Sequence, residues 1–289
     1  MGMRRGLASK TFDAANYLIM SLIALATLYP FWDSLIVSII PLDESLASNV
    51  HLFPKTITFE AYAYIFKMKE LWSSYGVTIF VTAVGTLISI VVTLMAAYAL
   101  TKKELKGRRL FLFLIVFTMM FNGGLIPTYM VIKQLGMMNS VWSLIVPTAL
   151  STYNLIVMRS FLQSIPESLE ESARMDGCND IGVLFRIVVP LSLPAIATVS
   201  LFYAVFRWNE FFTAVMYITD KEKWPLQLFM RAMLLENEAS FQGGGDNPFL
   251  LGQSIKMASI MLSAIPVMLI YPFFQKYFVQ GVTLGAVKE

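Results

Sequence analysis

The sequence predicts an all-α integral membrane protein of six transmembrane helices, with a polar helical block between the fourth and fifth. Three observations carry the prediction. Of the 289 residues, 57% are hydrophobic and 14% charged, with a mean hydropathy of +0.65, whereas a soluble domain carries about 25% charged residues. The apolar residues are gathered in runs, and about 20 such residues suffice to cross about 30 Å of hydrocarbon. Lys and Arg crowd onto alternate connections between the runs, as the positive-inside rule requires.

Taken in order, the first span covers residues 16–40 and ends at Pro41. A polar loop fills 42–70, and the second span covers 71–100. Residues 101–109 form a basic connector with Lys102, Lys103, Lys106, Arg108 and Arg109. The third span, 110–131, passes through Asn122-Gly123-Gly124 and Pro127, which should break or kink it. The fourth covers 141–158, the polar block 159–186, the fifth span 187–218 and the sixth 254–274.

The connector at 101–109 is the firmest topology anchor. Together with Arg4, Arg5, Lys10, Arg159, Arg174, Arg186, Lys276 and Lys288 it places both termini and the polar block in the cytoplasm. The net charge of +3 says little by comparison. The N-terminal apolar run is longer than a signal-peptide core, so it reads as a retained helix. Arg4-Arg5 lacks the flanks of a twin-arginine signal, and Gly6 stands where myristoylation needs Ser or Thr.

Several chemistries are excluded. Cys178 is the lone cysteine and His51 the lone histidine, so an internal disulfide is ruled out and most His/Cys metal sites and Cys/His catalytic pairs are excluded. No metal site is expected. Gly243-Gly244-Gly245 is not a phosphate loop, because no Lys-Ser or Lys-Thr pair follows it. No ATP-binding motif occurs, and the short basic run does not suit nucleic acid.

Two places are candidates for a solute pathway. At Asn122-Gly123-Gly124 the small residues suit either tight helix packing or a break that lines a wet cavity, where freed backbone groups find partners. Within the fifth span, Arg207-Trp208-Asn209-Glu210 places ionisable groups where they are costly. Arg207 and Glu210 stand three apart and share a helix face. They are either a structural ion pair beside an aromatic anchor or a patch that touches solute. The pathway set is therefore Asn122, Tyr203, Arg207, Trp208, Asn209 and Glu210.

The polar block has its own logic. Pro166 suits a helix start, and Glu167, Glu170 and Glu171 suit the positive end of the helix dipole. Ser172 and Ala173 allow close approach, and Gly177 allows a sharp turn. A second helix then begins near Asp180 and runs into the fifth span through Pro190. An amphipathic interfacial helix is disfavoured, since anionic leaflets select Lys and Arg over these acids. Docking of a soluble partner accounts for the block better.

Glu171-Ser172-Ala173, followed by Gly177, Ile187 and Pro190, resembles the EAA signature of bacterial ABC-importer permeases, with Ser in place of the usual second Ala. Trp208-Asn209-Glu210-Phe211-Phe212 resembles a motif of the sugar branch. The stretch from Tyr277 to Lys288 resembles the tail of MalG-type subunits. The segment from Phe121 to Tyr129 looks like the LplC-type branch, which is linked to fragments of pectin- or alginate-like polymers.

The resemblance implies a type I ABC importer permease fold with a cytoplasmic EAA coupling helix. It implies a cytoplasmic N-terminus at 1–15, a transmembrane permease region at 16–278 that includes the coupling loop, and a cytoplasmic tail at 279–289. The implied partners are a MalF-type permease, two ATPase subunits that hold ATP and Mg, an extracytoplasmic solute-binding protein and membrane lipids. The chain itself is implied to be non-catalytic and to bind no cofactor. Glu170, Glu171, Ser172, Ala173, Asp176 and Gly177 would couple to an ATPase, and Gly281, Thr283 and Gly285 would contact it from the tail. The expected cargo is an oligosaccharide, and an acidic one would make Arg207 a partner for its carboxylate. A disaccharide or glycerol-phosphate permease is the alternative, and a stand-alone secondary transporter or an intramembrane enzyme is a weaker rival.

Overall fold

The structure, a computed structural model, describes residues 7–47, 50–121, 123–242 and 252–286. Every regular element among them is helical. In chain order these are α1 (Leu7–Ser38), α2 (Leu42–Ala47), α3 (Glu60–Lys67), α4 (Lys69–Thr101), α5 (Arg108–Met120), α6 (Leu125–Gln134), α7 (Trp142–Ile145), α8 (Thr152–Leu162) and α9 (Glu167–Met175). After α10 (Asp180–Val183) comes a π-helical turn (Leu184–Val188), then α11 (Val189–Leu191), α12 (Leu193–Trp208), α13 (Phe212–Tyr217), α14 (Leu226–Gln242) and α15 (Gly252–Ala286).

Three helices among the described residues are long and apolar enough to cross a membrane: Lys10–Ser38, Lys69–Thr101 and Gly252–Ile270. Two bent pairs raise the number of candidate spans to five. One pair is α5 and α6, at 115° to each other. It sits where the sequence predicts a broken third span, with Gly124 at φ +91°, which glycine alone adopts readily. The other is Asp180–Leu191 with α12, bent by 82°.

The expected fourth and fifth spans are therefore not continuous helices. In the fourth, α7 stops before Pro147, whose ring has no N–H to give and crowds the preceding turn. The 11 residues of α8 rise only about 16 Å at 1.5 Å per residue. In the fifth, Pro190 has no N–H for the Arg186 carbonyl, and the ladder widens into the π turn. The bend follows at Ser192, between Pro190 and Pro194, and a second break at Asn209–Phe211 separates α12 from α13. The 17-residue α14 falls between the expected fifth and sixth spans, where the sequence predicts no helix; Gly243-Gly244-Gly245 lies outside the described residues.

The chain divides into two compact units. In the unit formed by Met1–Met68 and Met233–Ile265, most of α1 is exposed and its end is anchored. Ile36, Val37 and Ile40 are buried with Met257 beside them, and Ser254 Oγ donates to the Ile40 carbonyl at 3.1 Å. Carboxylates organise the following loop. Glu44 accepts from the Lys55 N–H at 2.7 Å and from the Thr56 N–H and hydroxyl at 3.1 and 2.7 Å. These bonds lower its pKa from the usual carboxylate range, the Lys55 N–H first.

The unit formed by Lys69–Ala232 and Pro266–Glu289 is built around α4. Ser74, Thr78, Val81, Gly85, Ser89 and Thr93 recur every three or four residues along its buried face. Such small residues let neighbouring helices approach closely. Their hydroxyls then serve as polar ties. Thr78 Oγ1 accepts from the Leu226 N–H at 2.7 Å, and Thr93 Oγ1 meets the Tyr203 hydroxyl at 2.8 Å. At one end of α4 a core joins Leu94, Ala97, Tyr98, Leu155, Met158, Val188 and Val199. At the other, Val81 packs with Ile132, Leu144, Ile145, Ala214, Tyr217 and Leu228.

Candidate coupling site and pathway residues

The helix–turn–helix expected in the polar block is present, and its turn is tightly specified. Helix α9 ends at Met175, and Asp176 caps it. Gly177 takes φ +85°. Its N–H reaches the Arg174 carbonyl at 3.0 Å, and the Cys178 N–H reaches the Ala173 carbonyl at 3.0 Å. This paired closure is the Schellman arrangement, with a left-handed residue just past the helix end. Ala173 and Cys178, the residues it brings together, both pack into the core at the end of α4. Asn179 Oδ1 then accepts from the Gly182 N–H at 2.8 Å and starts α10. Arg174 Nη2 bridges the turn to Asp180 Oδ1 at 2.9 Å.

Residues of α9 divide by face. Ala173 points inward and is buried, whereas Glu171, Ser172, Asp176 and Gly177 are exposed. Ser172 Oγ is spent on the Ser168 carbonyl at 2.8 Å, so Ser in place of Ala adds no outward donor. Leu169, Met175 and Ile181 are exposed, Met175 at 89%. These apolar side chains beside Glu171 were not singled out from the sequence. The signal was there, because Leu169, Ser172 and Met175 recur at three-residue intervals on one face.

The basic connector does more than anchor topology. Lys102 pairs with Glu170 and also lies over the Tyr98 ring, 4.1 Å from its centroid. Lys103 pairs with Glu167 at 2.6 Å. Helix α9 is thus tied to the end of α4 by two ion pairs flanking a crevice of about 300 Å³. Arg108 and Arg159 both donate through Nε to the Leu100 carbonyl, at 2.9 and 3.3 Å, which places positive charge at the negative end of α4. The Lys103 hydrogen bond lowers the Glu167 pKa. The contribution of this exposed pair is therefore present above the usual carboxylate range and lost as pH falls through the lowered value. Lys102→Ala and Glu170→Ala are expected to be non-additive in thermal stability, with a coupling of about 0.5–1.5 kcal/mol. Additive losses would show that the pair contributes nothing.

The pathway set separates. Asn122 lies outside the described residues. Tyr203 is buried, and its hydroxyl bonds to Thr93 and to the Ser151 N–H at 2.9 Å; its residue still forms part of the wall of a cavity of about 560 Å³ between α8 and α12. Trp208 is buried and lies 6.5 Å from the Tyr75 ring. Asn209 is exposed, and its amide donates to the Val205 carbonyl at 2.8 Å. Glu210 accepts from the Thr213 N–H at 3.0 Å and starts α13.

Arg207 departs from both of its expected roles. It forms no ion pair with Glu210, and at 2% exposure it cannot touch a solute. Its guanidinium donates to the carbonyls of Leu144, Ile145 and Thr148 at 3.0, 3.4 and 3.2 Å. It also donates to the hydroxyls of Thr148 and Ser89 at 3.1 and 2.8 Å. The carbonyls released by the break at Pro147 supply the partners that a carboxylate was expected to provide. In the tail, Gly281, Thr283 and Gly285 lie on α15, which runs on without a break to Ala286.

The described residues are apolar and broken helices with a capped polar helix–turn between α8 and α12, features that suit a membrane protein, and comparison with known proteins identifies its class. Residues 90–284 match the family described as "Binding-protein-dependent transport system inner membrane component". The chain is 45% identical over 285 residues to the polygalacturonan/rhamnogalacturonan transport system permease protein YtcP of Bacillus subtilis, covering 97% of this chain and 99% of that one. It is 42% identical to protein LplC of the same organism, covering 97% and 96%. A solved bacterial ABC transporter involved in the import of the acidic polysaccharide alginate superposes with a TM-score of 0.87 at 34% identity, covering 96% and 100%. The chain belongs to the binding-protein-dependent transport permease family: it is a multi-pass, non-catalytic inner-membrane component of an ABC importer.

Proposed function

We propose that this chain is the MalG-type half of an importer that carries acidic oligosaccharides, of the kind released from pectin- or alginate-like polymers, into a bacterial cell. On this reading the chain crosses six times, the five candidate spans described above plus the segment of α7 and α8, with both termini and α9 in the cytoplasm. A MalF-type permease completes the pathway, two ATPase subunits supply ATP and Mg, and an extracytoplasmic binding protein delivers the solute. The observation that carries the coupling role is the closed turn at Gly177, which fixes α9 to the end of α4 while leaving Leu169, Glu171 and Met175 outward. An ATPase that grips this face differently in its two nucleotide states can shift the spans between inward and outward access as rigid bodies. The acidic cargo rests on the relatives: one is a polygalacturonan/rhamnogalacturonan permease and another an alginate importer.

Uptake by a strain deleted for this chain is the test. Labelled oligogalacturonate or oligoalginate is expected to enter only when the chain is restored. Restored uptake of a neutral disaccharide or of glycerol-phosphate, with none of either acidic oligosaccharide, would assign a different cargo.

A further inference from the structure

The cavity of about 560 Å³ between α8 and α12 has a composition that packing does not require. Its volume falls in the range of small-molecule sites, about 300–1,000 Å³. Tyr153, Phe202 and Phe206 form an aromatic wall, with the Tyr153 and Phe202 rings 6.3 Å apart and tilted by 46°. Such rings offer apolar faces to the C–H faces of a sugar ring. Asn154 is part of the same lining and is only 6% exposed. Its backbone N–H is bonded to Ser151 Oγ at 3.4 Å, but its amide has no hydrogen-bond partner among the described residues. An amide at the edge of a cavity whose donors and acceptor are not used within the protein is suited to an incoming ligand. Of the other polar neighbours, the Thr148 and Tyr203 hydroxyls are already bonded within the protein, whereas Ser151 and Tyr153 present hydroxyls to the lining.

Behind this wall stands a charge. Thr148 both borders the cavity and accepts from the Arg207 guanidinium through its hydroxyl and its carbonyl. Arg207 has no carboxylate within ion-pair distance among the described residues, and its charge is solvated mainly by carbonyl and hydroxyl dipoles, with Glu210 acting on it only through space. In a low-dielectric surround such a charge acts over several ångströms. It favours an anion in the cavity without touching it.

We infer that this cavity is a subsite for a uronate ring of the transported oligosaccharide: the Asn154 amide bonds its hydroxyl or carboxylate oxygens, the aromatic wall carries its apolar face, and Arg207 biases the site toward negative charge. The inference rests on the acidic-cargo reading above and adds where, in this chain, one ring is held in transit.

The test uses the complete transporter in proteoliposomes, with its partner permease, ATPases and binding protein, and labelled trigalacturonate. Asn154→Asp is isosteric and places a carboxylate at the site. It is expected to raise KM for trigalacturonate about tenfold, an effect that shrinks as ionic strength rises. Asn154→Leu removes the hydrogen bonds without adding charge and is expected to raise KM about fivefold, as loss of one such bond allows, with no added salt dependence. In both variants kcat should stay within about twofold of wild type, since the loss is in uniform binding. Unchanged KM in both variants, or a fall in kcat at constant KM, would overturn the subsite. So would loss of the partner permease on purification, because the cavity would then be a subunit contact. Failure of the wild-type transporter to import trigalacturonate would sink the acidic-cargo reading first, and the uronate subsite with it.

Discussion

A Gly177→Pro permease is expected to lose solute-stimulated ATP hydrolysis almost completely, and to co-purify with its ATPase in reduced amount. Gly177 sits at φ +85°, and proline is locked near −65°. Proline also deletes the N–H that closes on the Arg174 carbonyl. Both defects fall on the one turn that sets the angle between α9 and the helices leading into α12. Gly177→Ala is the graded control. It keeps the N–H and pays about 1–2 kcal/mol for the left-handed conformation, so weakened but measurable stimulation is expected. Glu171→Lys probes the outward face separately. Glu171 is exposed and makes no ion pair among the described residues, unlike Glu167 and Glu170, which are spent on Lys103 and Lys102. Its reversal should impair ATPase docking while leaving the permease's own melting temperature within about a degree, as for a surface change. Normal coupling in Gly177→Pro and Glu171→Lys together would reduce the block to a mere connector.

These residues were legible because the features that make a helix stop and turn are local. A left-handed glycine after a short polar helix, with Asn179 two residues on, is written within a few positions of sequence. The same holds for the apolar runs that became α1, α4 and α15, and for the break before α6 at Gly124. Hydropathy measures how apolar a segment is, however, and not whether its backbone ladder is continuous. The segments 141–158 and 187–218 are largely apolar, yet Pro147, Pro190 and Pro194 interrupt them. Helix α14 is not expected from hydropathy because its apolar stretch, Leu226–Leu235, is too short to read as a span. What the sequence could not disclose is pairing across distance. The Lys102–Glu170 tie joins positions 68 apart, and the partners of Arg207 lie 59 to 118 residues away.

Arg207→Ala is expected to destabilise the permease by about 3–5 kcal/mol, the range seen when one side of a buried charged network is removed. The loss is not mainly one of charge. The break at Pro147 leaves the carbonyls of Leu144, Ile145 and Thr148 without helical partners, and in a membrane no water replaces them. Arg207 supplies donors to all three, and to Ser89 on α4, so one side chain clasps three segments. Arg207→Lys should recover only part of the loss, because an ammonium cannot spread planar donors over this many acceptors. Gly85 gives an independent check. A Cβ there would lie 2.6–2.8 Å from Nε, Cζ and Cδ of Arg207, so Gly85→Ala should be destabilising in its own right. If the clasp is the cause, the two substitutions will not add: once Arg207 is Ala, a methyl at position 85 meets open space and should cost little more. Melting of the detergent-solubilised complex measures both effects. Full additivity of Gly85→Ala and Arg207→Ala, or wild-type stability in Arg207→Ala, would mean that the break is held by something other than this arginine.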